Sequence, residues 1–492
     1  MKKLIVIGAG ISGLACGVYA RRSGFETLIL EKAANPGGVS TSWKRKGYTF
    51  EGGIHWLIGA KEGLPLHDVW TETGALQGNN PVVYKDPIYT LMDGDATVRL
   101  YRDFRKTEAE LGPLSRRDRL WLAMLRFHVW SFSHFHPVIQ DAVGLKVRTP
   151  RPFSLWEFIR MTPALVLSPF LMLISARQYA ARFANPHLRA LLGSVVSPSI
   201  NALSLIYTLS TFHAGDSGYP LGGSLRMAQN MADTFTGLGG EIRYRMPALE
   251  IVREGGRLKG VRTEEGLLEA DAVVISMDAR SAIDRLFAEP LQDRWARKMR
   301  RNLRTTQCMF AAFGVRADLS AYPRCMYIAM DPAVEIAGLR FAALQVNNYA
   351  WEKDYAPEGC TTLTLILDGQ SYRWWKAAKE DGSYREKKNA VLALLEERLG
   401  AVIPEMKGRV EVTDLATPMT YVRYCDTHEG SYMTEWLPLK ATVTAPIRYR
   451  DGIYFTGQRT GFSGGLPPAA MGAWKTAQAL CKDFGVEFVR KG

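Results

Sequence analysis

The stretch from residue 3 to residue 31 constrains the fold most, because it combines an apolar run, a glycine-rich turn, a helical segment and a second apolar run. The turn carries three glycines at G-x-G-x-x-G spacing, which are Gly8, Gly10 and Gly13. In a βαβ unit such glycines permit a tight turn, close approach of the backbone to a pyrophosphate, and close packing of helix on strand. The phosphates would lie at the helix N-terminus, where free N–H groups and the helix dipole favour anions.

An acidic residue completes this pattern. Glu31 follows the second apolar run and lies 18 residues after Gly13. At about that distance a carboxylate accepts a hydrogen bond from a ribose 2′-hydroxyl in dinucleotide-binding proteins. A purely structural glycine turn is the alternative, but it explains neither the acid nor its position. We therefore expect an α/β fold with a Rossmann-type nucleotide-binding domain.

The beginning of the chain also has features of a secretory leader, since two lysines precede apolar residues and Cys16. The apolar run is interrupted by glycines that the nucleotide-binding pattern explains. We therefore expect no processing here and a cytoplasmic location, either free or peripheral on the inner face of the membrane.

Length and charge narrow the possible partners. A chain of 492 residues can form two or three domains. Its net charge of +13, from 62 basic and 49 acidic residues, favours an anionic partner such as nucleic acid, an anionic membrane surface or an acidic ligand. No nucleic-acid recognition motif accompanies the charge, so we expect no nucleic-acid partner.

Neither the cysteines nor the histidines predict a metal site. The six cysteines are scattered without a C-x-x-C pair, which also argues against a disulfide framework and fits a reducing compartment. His128, His134 and His136 lie close together, but no acidic residue or cysteine accompanies them at ligand spacing. We expect these histidines to pack or to line an interface.

Further glycine pairs follow the fingerprint at Gly37-Gly38 and Gly52-Gly53, and a strand-like GYTFE segment lies between them. These residues resemble the flavin-dependent amine oxidase and phytoene desaturase superfamily, in which a PGG motif and an F-[DE]-x-G strand line FAD. The segment GIHWLIG at 53–59 most resembles the retinol saturase and carotenoid isomerase branch.

Three later blocks carry the same resemblance. Residues 218–276 resemble the family's returning segment, and residues 417–433 resemble a family stretch ending in Gly-x-x-Tyr-Gly, with Met433 in place of the last glycine. Residues 452–480 resemble the family's last flavin-contacting motif, with a helix opened by Pro467-Pro468, whose N-terminus would stabilise the reduced flavin.

The resemblance implies non-covalent FAD held by residues from these blocks. The expected cofactor-binding residues are Gly8, Gly10, Ile11, Ser12, Gly13, Glu31, Lys32, Gly37, Gly38, Val39, Ser40, Gly53, Ile54, His55, Ala248, Gly457, Gly465, Leu466, Pro467 and Ala469.

The order of the blocks predicts a discontinuous FAD-binding domain with an inserted α+β substrate domain. The FAD-binding domain would comprise 1–75, 215–285 and 411–492, and the substrate domain 76–214 and 286–410. The second insert contains strand-like runs at 306–315, 338–346 and 361–367, then a helix near 384–399.

Two apolar stretches raise the question of a membrane. Residues 190–212 are uncharged over 23 positions, but ten are Gly, Ser, Thr, Asn or Pro, which favours the wall of an apolar cavity over a spanning helix. Residues 163–174 are too short to span and are split by Pro169. We favour core packing for them, with insertion into one leaflet as the alternative.

A basic helix is a further membrane candidate. Residues 294–304 contain six basic residues and no acid, and Trp295, Met299 and Leu303 recur every four positions. Such a helix can lie on an anionic membrane, or it can pack Trp295 inward on the protein.

The resemblance assigns the chemistry to the flavin, since no hydrolase or metalloprotease motif is present. The expected catalytic residues are His55, Glu51 and Tyr432. His55 follows the third glycine pair, where the family's chain passes the isoalloxazine, and could donate a proton to a substrate carbon. Alternatively, His55 only bonds to the backbone. No second dinucleotide fingerprint is present, so NAD(P)H, a quinone or O₂ would be the electron partner.

The favoured function is therefore an FAD-dependent oxidoreductase that desaturates or saturates carbon–carbon bonds of a long apolar isoprenoid or carotenoid-like substrate. Three alternatives stay open. They are a redox-neutral cis–trans isomerase of polyenes, a flavin amine oxidase with an aromatic cage from Trp56, Tyr432 and Trp436, and a prenyl- or lipid-binding escort-type protein.

Overall fold

A computed structural model describes residues 1–142, 154–440, 442–461 and 464–491, with the backbone only for 136–142. The strands are β1 (Lys3–Ile7), β2 (Glu26–Leu30), β3 (Ser42–Arg45), β4 (Tyr48–Glu51), β5 (Leu57–Ile58), β6 (Val82–Val83), β7 (Tyr89–Asp93), β8 (Ala96–Leu100), β9 (Ser217–Pro220), β10 (Glu241–Arg243), β11 (Glu250–Glu254), β12 (Arg257–Thr263), β13 (Gly266–Glu269), β14 (Ala272–Ile275), β15 (Thr305–Val315), β16 (Cys325–Ile336), β17 (Leu339–Asn348), β18 (Thr361–Asp368), β19 (Val410–Ala416), β20 (Ser431–Thr434), β21 (Arg448–Arg450) and β22 (Ile453–Phe455).

The helices are α1 (Ile11–Arg22), α2 (Pro65–Glu72), α3 (Phe104–Glu110), α4 (Arg116–Ala142), α5 (Leu155–Leu173), α6 (Ala176–Ala180), α7 (Pro186–Ser194), α8 (Ala202–His213), α9 (Gly223–Gly237), α10 (Ala279–Arg285), α11 (Arg294–Asn302), α12 (Tyr372–Glu380), α13 (Tyr384–Val402), α14 (Pro418–Cys425) and α15 (Leu466–Asp483). Short 3₁₀ turns occupy Pro404–Met406, His428–Gly430 and Gln458–Thr460.

A six-stranded nucleotide sheet is assembled from remote parts of the chain, in the order β10-β2-β1-β14-β22-β21. All neighbours in it are parallel except β21, which is antiparallel to β22 at the edge. The residues of β1 and β14 are almost entirely buried, as expected for central parallel strands covered on both faces. The Rossmann-type α/β fold predicted from the first 31 residues is confirmed.

A second, larger sheet has the order β19-β15-β18-β17-β16-β7-β8, and β20 pairs with β15 off this path. Helices α12 and α13 cover one face, where Trp375 and Leu395 pack with Phe313 and Leu365. The predicted strands near 306–315, 338–346 and 361–367 are confirmed, whereas β16 was missed. The division into two domains stays a prediction, and β19 starts at its boundary while belonging to this larger sheet.

Helices α4 to α8 form a separate apolar cluster against β7 and β16. The apolar stretch 190–212 is divided between α7 and α8, because Pro198 lies in the loop between them. In the described part of the chain, no helix has the length and hydropathy needed to cross a membrane.

The favoured core assignment of residues 163–174 is wrong. Helix α5 buries Met161, Ala164 and Leu171, but Val166 and Phe170 are 59% and 62% exposed. Over its length, nine large apolar side chains are exposed, which are Leu155, Trp156, Phe158, Ile159, Leu165, Val166, Phe170, Met172 and Leu173.

Helix α5 is held against α4 by Ser131 despite the proline within it. Pro163 interrupts the helical ladder, and the Ser131 hydroxyl accepts the N–H of Ala164 at 3.0 Å while donating to the carbonyl of Arg160 at 3.0 Å. These bonds satisfy backbone groups that proline would otherwise leave unpaired.

The basic helix α11 has the opposite arrangement. Trp295 packs on Phe455 and Tyr449, with ring centroids 5.3 and 5.7 Å away, and Ala296 and Met299 are buried. The inward-packing alternative therefore holds for this helix, and its apolar stripe is not available to a membrane.

Candidate functional site

A large cavity of about 900 Å³ lies where the nucleotide sheet, the large sheet and the helical cluster meet. It contains two regions. The nucleotide end is lined by Gly10, Glu31 and Gly37, and the reaction end by His55, Phe310 and Asp368. Of the predicted site residues, all line the cavity except Gly13 and Glu51.

The nucleotide end is shaped by backbone. Gly10 and Gly37 form an isolated parallel bridge, and the N–H of Gly37 donates to the carbonyl of Ala9 at 2.9 Å. Gly37 has φ +115°, and a Cβ there would lie 2.4 Å from the carbonyl oxygen of Ser40. Two glycine turns therefore lie against each other, and a side chain at Gly37 would collide with the backbone of Ser40.

Gly13 acts by packing and not by contact with the cavity. A Cβ at this position would lie 1.9 Å from the carbonyl oxygen of Gly8 and 2.9 Å from Oγ of Ser276. The third glycine thus allows α1 to approach the end of β1, as its spacing in the fingerprint suggests.

The carboxylate of Glu31 is fixed at the cavity wall. Its two oxygens accept the N–H groups of Ala9 and Ala33, each at 2.7 Å. Burial raises the pKa of the Glu31 carboxyl, while these two bonds oppose the rise. The oxygens keep unused lone pairs toward the cavity, which is the chemistry that a ribose diol requires.

Two ionic groups at this end were not found from the sequence. Asp426 accepts hydrogen bonds from Lys32 at 2.7 Å and from Arg285 at 2.8 Å, and all three line the cavity. Asp426 adopts φ +52° at the end of α14, so the turn brings its carboxylate beside Lys32, 394 positions earlier, and Arg285, 141 positions earlier. No spacing rule could have linked them.

The second ionic group is a buried pair. Asp278 and Arg459 lie 2.9 Å apart and are almost inaccessible to solvent. Burial alone would raise the pKa of the Asp278 carboxyl, but the Arg459 guanidinium holds it below its usual value. Arg459 also donates to Thr434 and Ser431. This network fixes the segment that carries Gly457.

The N-terminus of α15 reaches the same cavity. Gly465 caps it with φ +109°, and the prolines of its first turn leave few N–H donors unused. Gly465, Leu466, Pro467 and Ala469 line the cavity, so the positive end of the helix dipole faces it. Met433, which replaces a family glycine, lines the cavity next to Gly464.

His55 marks the reaction end. Its ring stacks on Phe310 of β15 with centroids 5.9 Å apart and planes 10° apart. Neither ring nitrogen has a hydrogen-bond partner among the described residues, so the alternative of a histidine that only bonds to the backbone is not supported. Burial, together with the charge of Lys85, lowers the pKa of His55 to about 3.

A neutral imidazole at this position can donate and accept hydrogen bonds. It cannot hold an extra proton near neutral pH, because the protonated form is strongly disfavoured. The ring is therefore neutral near pH 7, and the proton-donor role expected for His55 stays a prediction.

The expectation that Glu51 is a catalytic residue is corrected. Its carboxylate is fully buried outside the cavity lining and accepts hydrogen bonds from the N–H groups of Gly53, Ile54 and Ser224 and from two hydroxyls. The hydroxyls belong to Ser224 and Tyr355. Glu51 thus fixes the turn before His55 and has no approach to a substrate.

Tyr432 lines the cavity and donates its hydroxyl to Asp368 at 3.1 Å. Asp368 ends β18, also lines the cavity, and was missed from the sequence. Burial raises the pKa of the Asp368 carboxyl to about 6, Tyr432 opposes that rise, and Glu435 adds to it. Burial also raises the pKa of the Tyr432 phenol, so Tyr432 acts here as a hydrogen-bond donor.

Two of the three histidines of α4 have hydrogen-bond partners among the described residues. A ring nitrogen of His128 lies 3.1 Å from the hydroxyl of Tyr179, and one of His134 lies 2.8 Å from the carbonyl of Trp130. The side chain of His136 lies outside the described residues, and the absence of a metal stays a prediction.

The residues present fit an extended dinucleotide that carries a redox ring. The glycine groove, the fixed Glu31 carboxylate and the α15 N-terminus supply contacts for ribose and phosphates. The unpartnered nitrogens of His55 supply hydrogen-bonding groups where the groove meets the apolar region. FAD is such a group, and when bound it exchanges a hydride with substrate.

Comparisons with known proteins agree with this geometry. The profile of the family described as flavin containing amine oxidoreductase matches residues 11–481. The chloroplastic prolycopene isomerase of Daucus carota is 22% identical over 98% of this chain and 80% of the relative. The lycopene-forming phytoene desaturase of Pseudescherichia vulneris is 24% identical over 98% of this chain and all of the relative.

Solved structures show the same fold. An oxidoreductase from Methanosarcina mazei superposes with a TM-score of 0.60 at 15% identity, covering 97% of this chain and 100% of that one. Cyclohexylamine oxidase from Brevibacterium oxydans superposes with a TM-score of 0.61 at 16% identity, covering 98% of this chain and 99% of that one.

Proposed function

We propose, from the premise that this chain belongs to the flavin containing amine oxidoreductases, that it oxidises or reduces carbon–carbon bonds of a long apolar isoprenoid. The chain is an FAD-dependent oxidoreductase related to phytoene desaturases and carotenoid isomerases. The substrate and the reaction direction are the proposed part.

One observation carries this proposal, namely the apolar part of the cavity. From the reaction end the cavity continues between helices and loops whose side chains are mostly aromatic or aliphatic, among them Trp56, Val195, Val196, Ile200 and Leu203. It reaches Phe135 of α4 and Ser168 of α5. An apolar cavity region of this kind suits a hydrocarbon chain, which gains about 0.8 kcal/mol for each CH₂ group removed from water.

The decisive experiment is an anaerobic titration of the purified, flavin-loaded protein. Candidate polyenes should bleach the oxidised flavin if the enzyme desaturates, and the product should lack two hydrogens. If it saturates, NAD(P)H or another reductant should bleach the flavin and a more unsaturated polyene should restore its colour. Product of unchanged mass but altered geometry would identify a redox-neutral isomerase.

A flavin amine oxidase is the second candidate, because Asp368 offers a carboxylate beside the aromatic ring of Tyr432. That pair suits a protonated amine. Rapid flavin reduction by a primary amine or polyamine, with all polyenes inert, would favour this candidate and contradict a carbon–carbon substrate.

The escort-type alternative loses support, because the expected cofactor-binding residues other than Gly13 line the cavity. The electron partner stays part of the proposal. No second dinucleotide fingerprint occurs in the sequence, so NAD(P)H, a quinone or O₂ would enter the same cavity.

The membrane contact is proposed through α5 and not through α11. The nine exposed apolar side chains of α5 lie on the helix that brings Ser168 to the cavity, and exposed apolar clusters mark interaction sites on soluble proteins. Residues 116–189 include eleven basic and three acidic residues, which favours an anionic bilayer surface. The cytoplasmic location stays a prediction.

A further inference from the structure

The carboxyl group of Asp368 lies on the floor of the reaction end. In the antiparallel pairing of β15 and β18, Cys308 lies opposite Asp368 and Phe310 lies opposite Ile366. Side chains alternate along a strand, so Asp368, Ile366 and Phe310 share the face that lines the cavity. The carboxyl group is therefore on the same floor as the ring on which His55 stacks.

This carboxyl group has little compensation for its burial. Among the described residues its side chain has one hydrogen-bond partner, Tyr432, and no ion-pair partner. A buried carboxylate without a cation is costly, and such groups concentrate at functional sites.

The titratable groups that interact with Asp368 come from each neighbouring element. They are Cys308 of β15, Tyr327 of β16, Tyr421 of α14, Tyr432 of β20 and Glu435 after it. Burial raises the pKa of the thiol and of the three phenols well above their usual values. None of these neighbours is a cation.

The pKa values of the two candidate proton carriers in the cavity are shifted in opposite directions. His55 stays neutral down to acidic pH, since its pKa is about 3. The pKa of Asp368 is about 6, so its carboxyl group can take up and release a proton near neutral pH. General acid–base groups work best with a pKa near the operating pH.

We propose that Asp368 is the catalytic proton carrier of this site and that Tyr432 is its positioning residue. The proposal rests on the proposed function, because it assigns the proton of a carbon–carbon redox step. In the oxidative direction, two hydrogens leave neighbouring carbons, one as a hydride accepted by bound FAD and one as a proton accepted by the Asp368 carboxylate. The electron pair of the second C–H bond forms the double bond. In the reductive direction, the protonated carboxyl group returns the proton.

The first test compares the holoprotein with Asp368→Asn in single-turnover flavin reduction or reoxidation by the polyene that the titration identifies. The variant should keep its flavin and lose about 10²–10⁴ in rate. The parent should gain oxidative rate as pH rises through about 6, because the carboxylate form is required, and the reductive rate should fall over the same range. The Asp368→Asn variant should lack this pH-dependent limb of the rate profile.

Two variants serve as controls for that comparison. Asp381→Asn makes the same chemical change at an exposed residue and should match the parent. Tyr432→Phe removes the bond that lowers the pKa of Asp368, so the limb should move to higher pH.

A second measurement does not depend on turnover. The infrared carbonyl band of a protonated carboxyl group should disappear in the resting protein near pH 6, should be missing in Asp368→Asn, and should titrate at higher pH in Tyr432→Phe. An unmoved band in Tyr432→Phe, or one that persists in Asp368→Asn, would overturn the assignment even if a variant bound flavin poorly.

The outcomes separate the two proposals. An active polyene with an Asp368→Asn rate within about threefold of the parent and an unchanged pH profile would overturn the role of Asp368 alone. Inert polyenes with rapid reduction by an amine would overturn the proposed function, and the proton-carrier role would fall with it.

Discussion

The nucleotide end of the cavity is formed mainly by backbone groups, whereas the reaction end is formed mainly by side chains. At the nucleotide end, backbone groups and glycines form the groove, and the carboxylate of Glu31 is fixed by two N–H groups. At the reaction end, side chains on a sheet form the floor, where His55 has no hydrogen-bond partner in the described structure and Asp368 has one. A groove made of backbone tolerates little substitution, whereas a floor made of side chains can be altered without loss of the cofactor.

The largest effect is expected from a substitution at the nucleotide end. Gly13→Val should give protein without flavin, because even a Cβ would overlap the carbonyl oxygen of Gly8 at 1.9 Å. Gly237→Val is the matched control, since a Cβ at Gly237 meets nothing within 4 Å. Flavin absorbance per protein measures both variants. A fully yellow Gly13→Val protein would contradict the assignment of this groove.

A smaller effect is expected at the reaction end. His55→Gln should keep flavin and lose about 10- to 100-fold in single-turnover rate, as expected for one hydrogen-bonding group of about 1.4–2.7 kcal/mol. The pH profile should be unchanged above pH 5, because the pKa of His55 is about 3 and the ring stays neutral there. Disappearance of the limb near pH 6 in this variant would identify His55, and not Asp368, as the titrating group.

The smallest effect concerns the helix beyond the reaction end. Replacing Trp156 and Phe170 of α5 by serine should weaken binding to anionic vesicles by about tenfold, because two exposed apolar side chains would no longer insert. Flavin content and turnover of detergent-solubilised substrate should not change. Vesicle sedimentation measures the binding.

The helix α11 provides the contrast for that measurement. Arg297→Glu with Arg301→Glu should reduce binding less and only at low salt, because the apolar stripe of this helix is buried and its remaining contribution is electrostatic. Strong release by the α11 variant with no effect of the α5 variant would reverse the proposed membrane surface.

The two ends also differ in how far the sequence predicts them. The fingerprint glycines and Glu31 all lie within the first 31 residues, and backbone geometry imposes their spacing, so this part of the nucleotide end could be predicted. Asp426 and the Asp278–Arg459 pair come from remote segments and could not. Asp368 becomes a floor residue only because β18 pairs with β15, some 60 positions earlier. Such a pairing leaves no local pattern.

Helices α5 and α11 show that the sequence also fails to predict which apolar faces are covered. Residues 163–174 carry no charge and therefore indicate core, yet the described part of the chain leaves many of their side chains exposed. Trp295 lies on a strongly basic helix and therefore suggests a surface role, yet Tyr449 and Phe455 cover it. Periodicity identifies an apolar face, but only the tertiary structure identifies its partner.

The carboxylate of Glu51 has a consequence for the order of folding. It connects the turn before His55 to Ser224, 173 positions away, and to Tyr355, 304 positions away. Closing loops of this length is slow relative to forming a local βαβ unit, since non-local contacts require the chain to give up entropy first. The fingerprint at residues 3–31 can therefore form early, whereas His55 reaches its final position only after α9 and the segment around Tyr355 have docked. The turn that carries His55 therefore depends on parts of the chain far from it, whereas the fingerprint at residues 3–31 is held by contacts within its own βαβ unit.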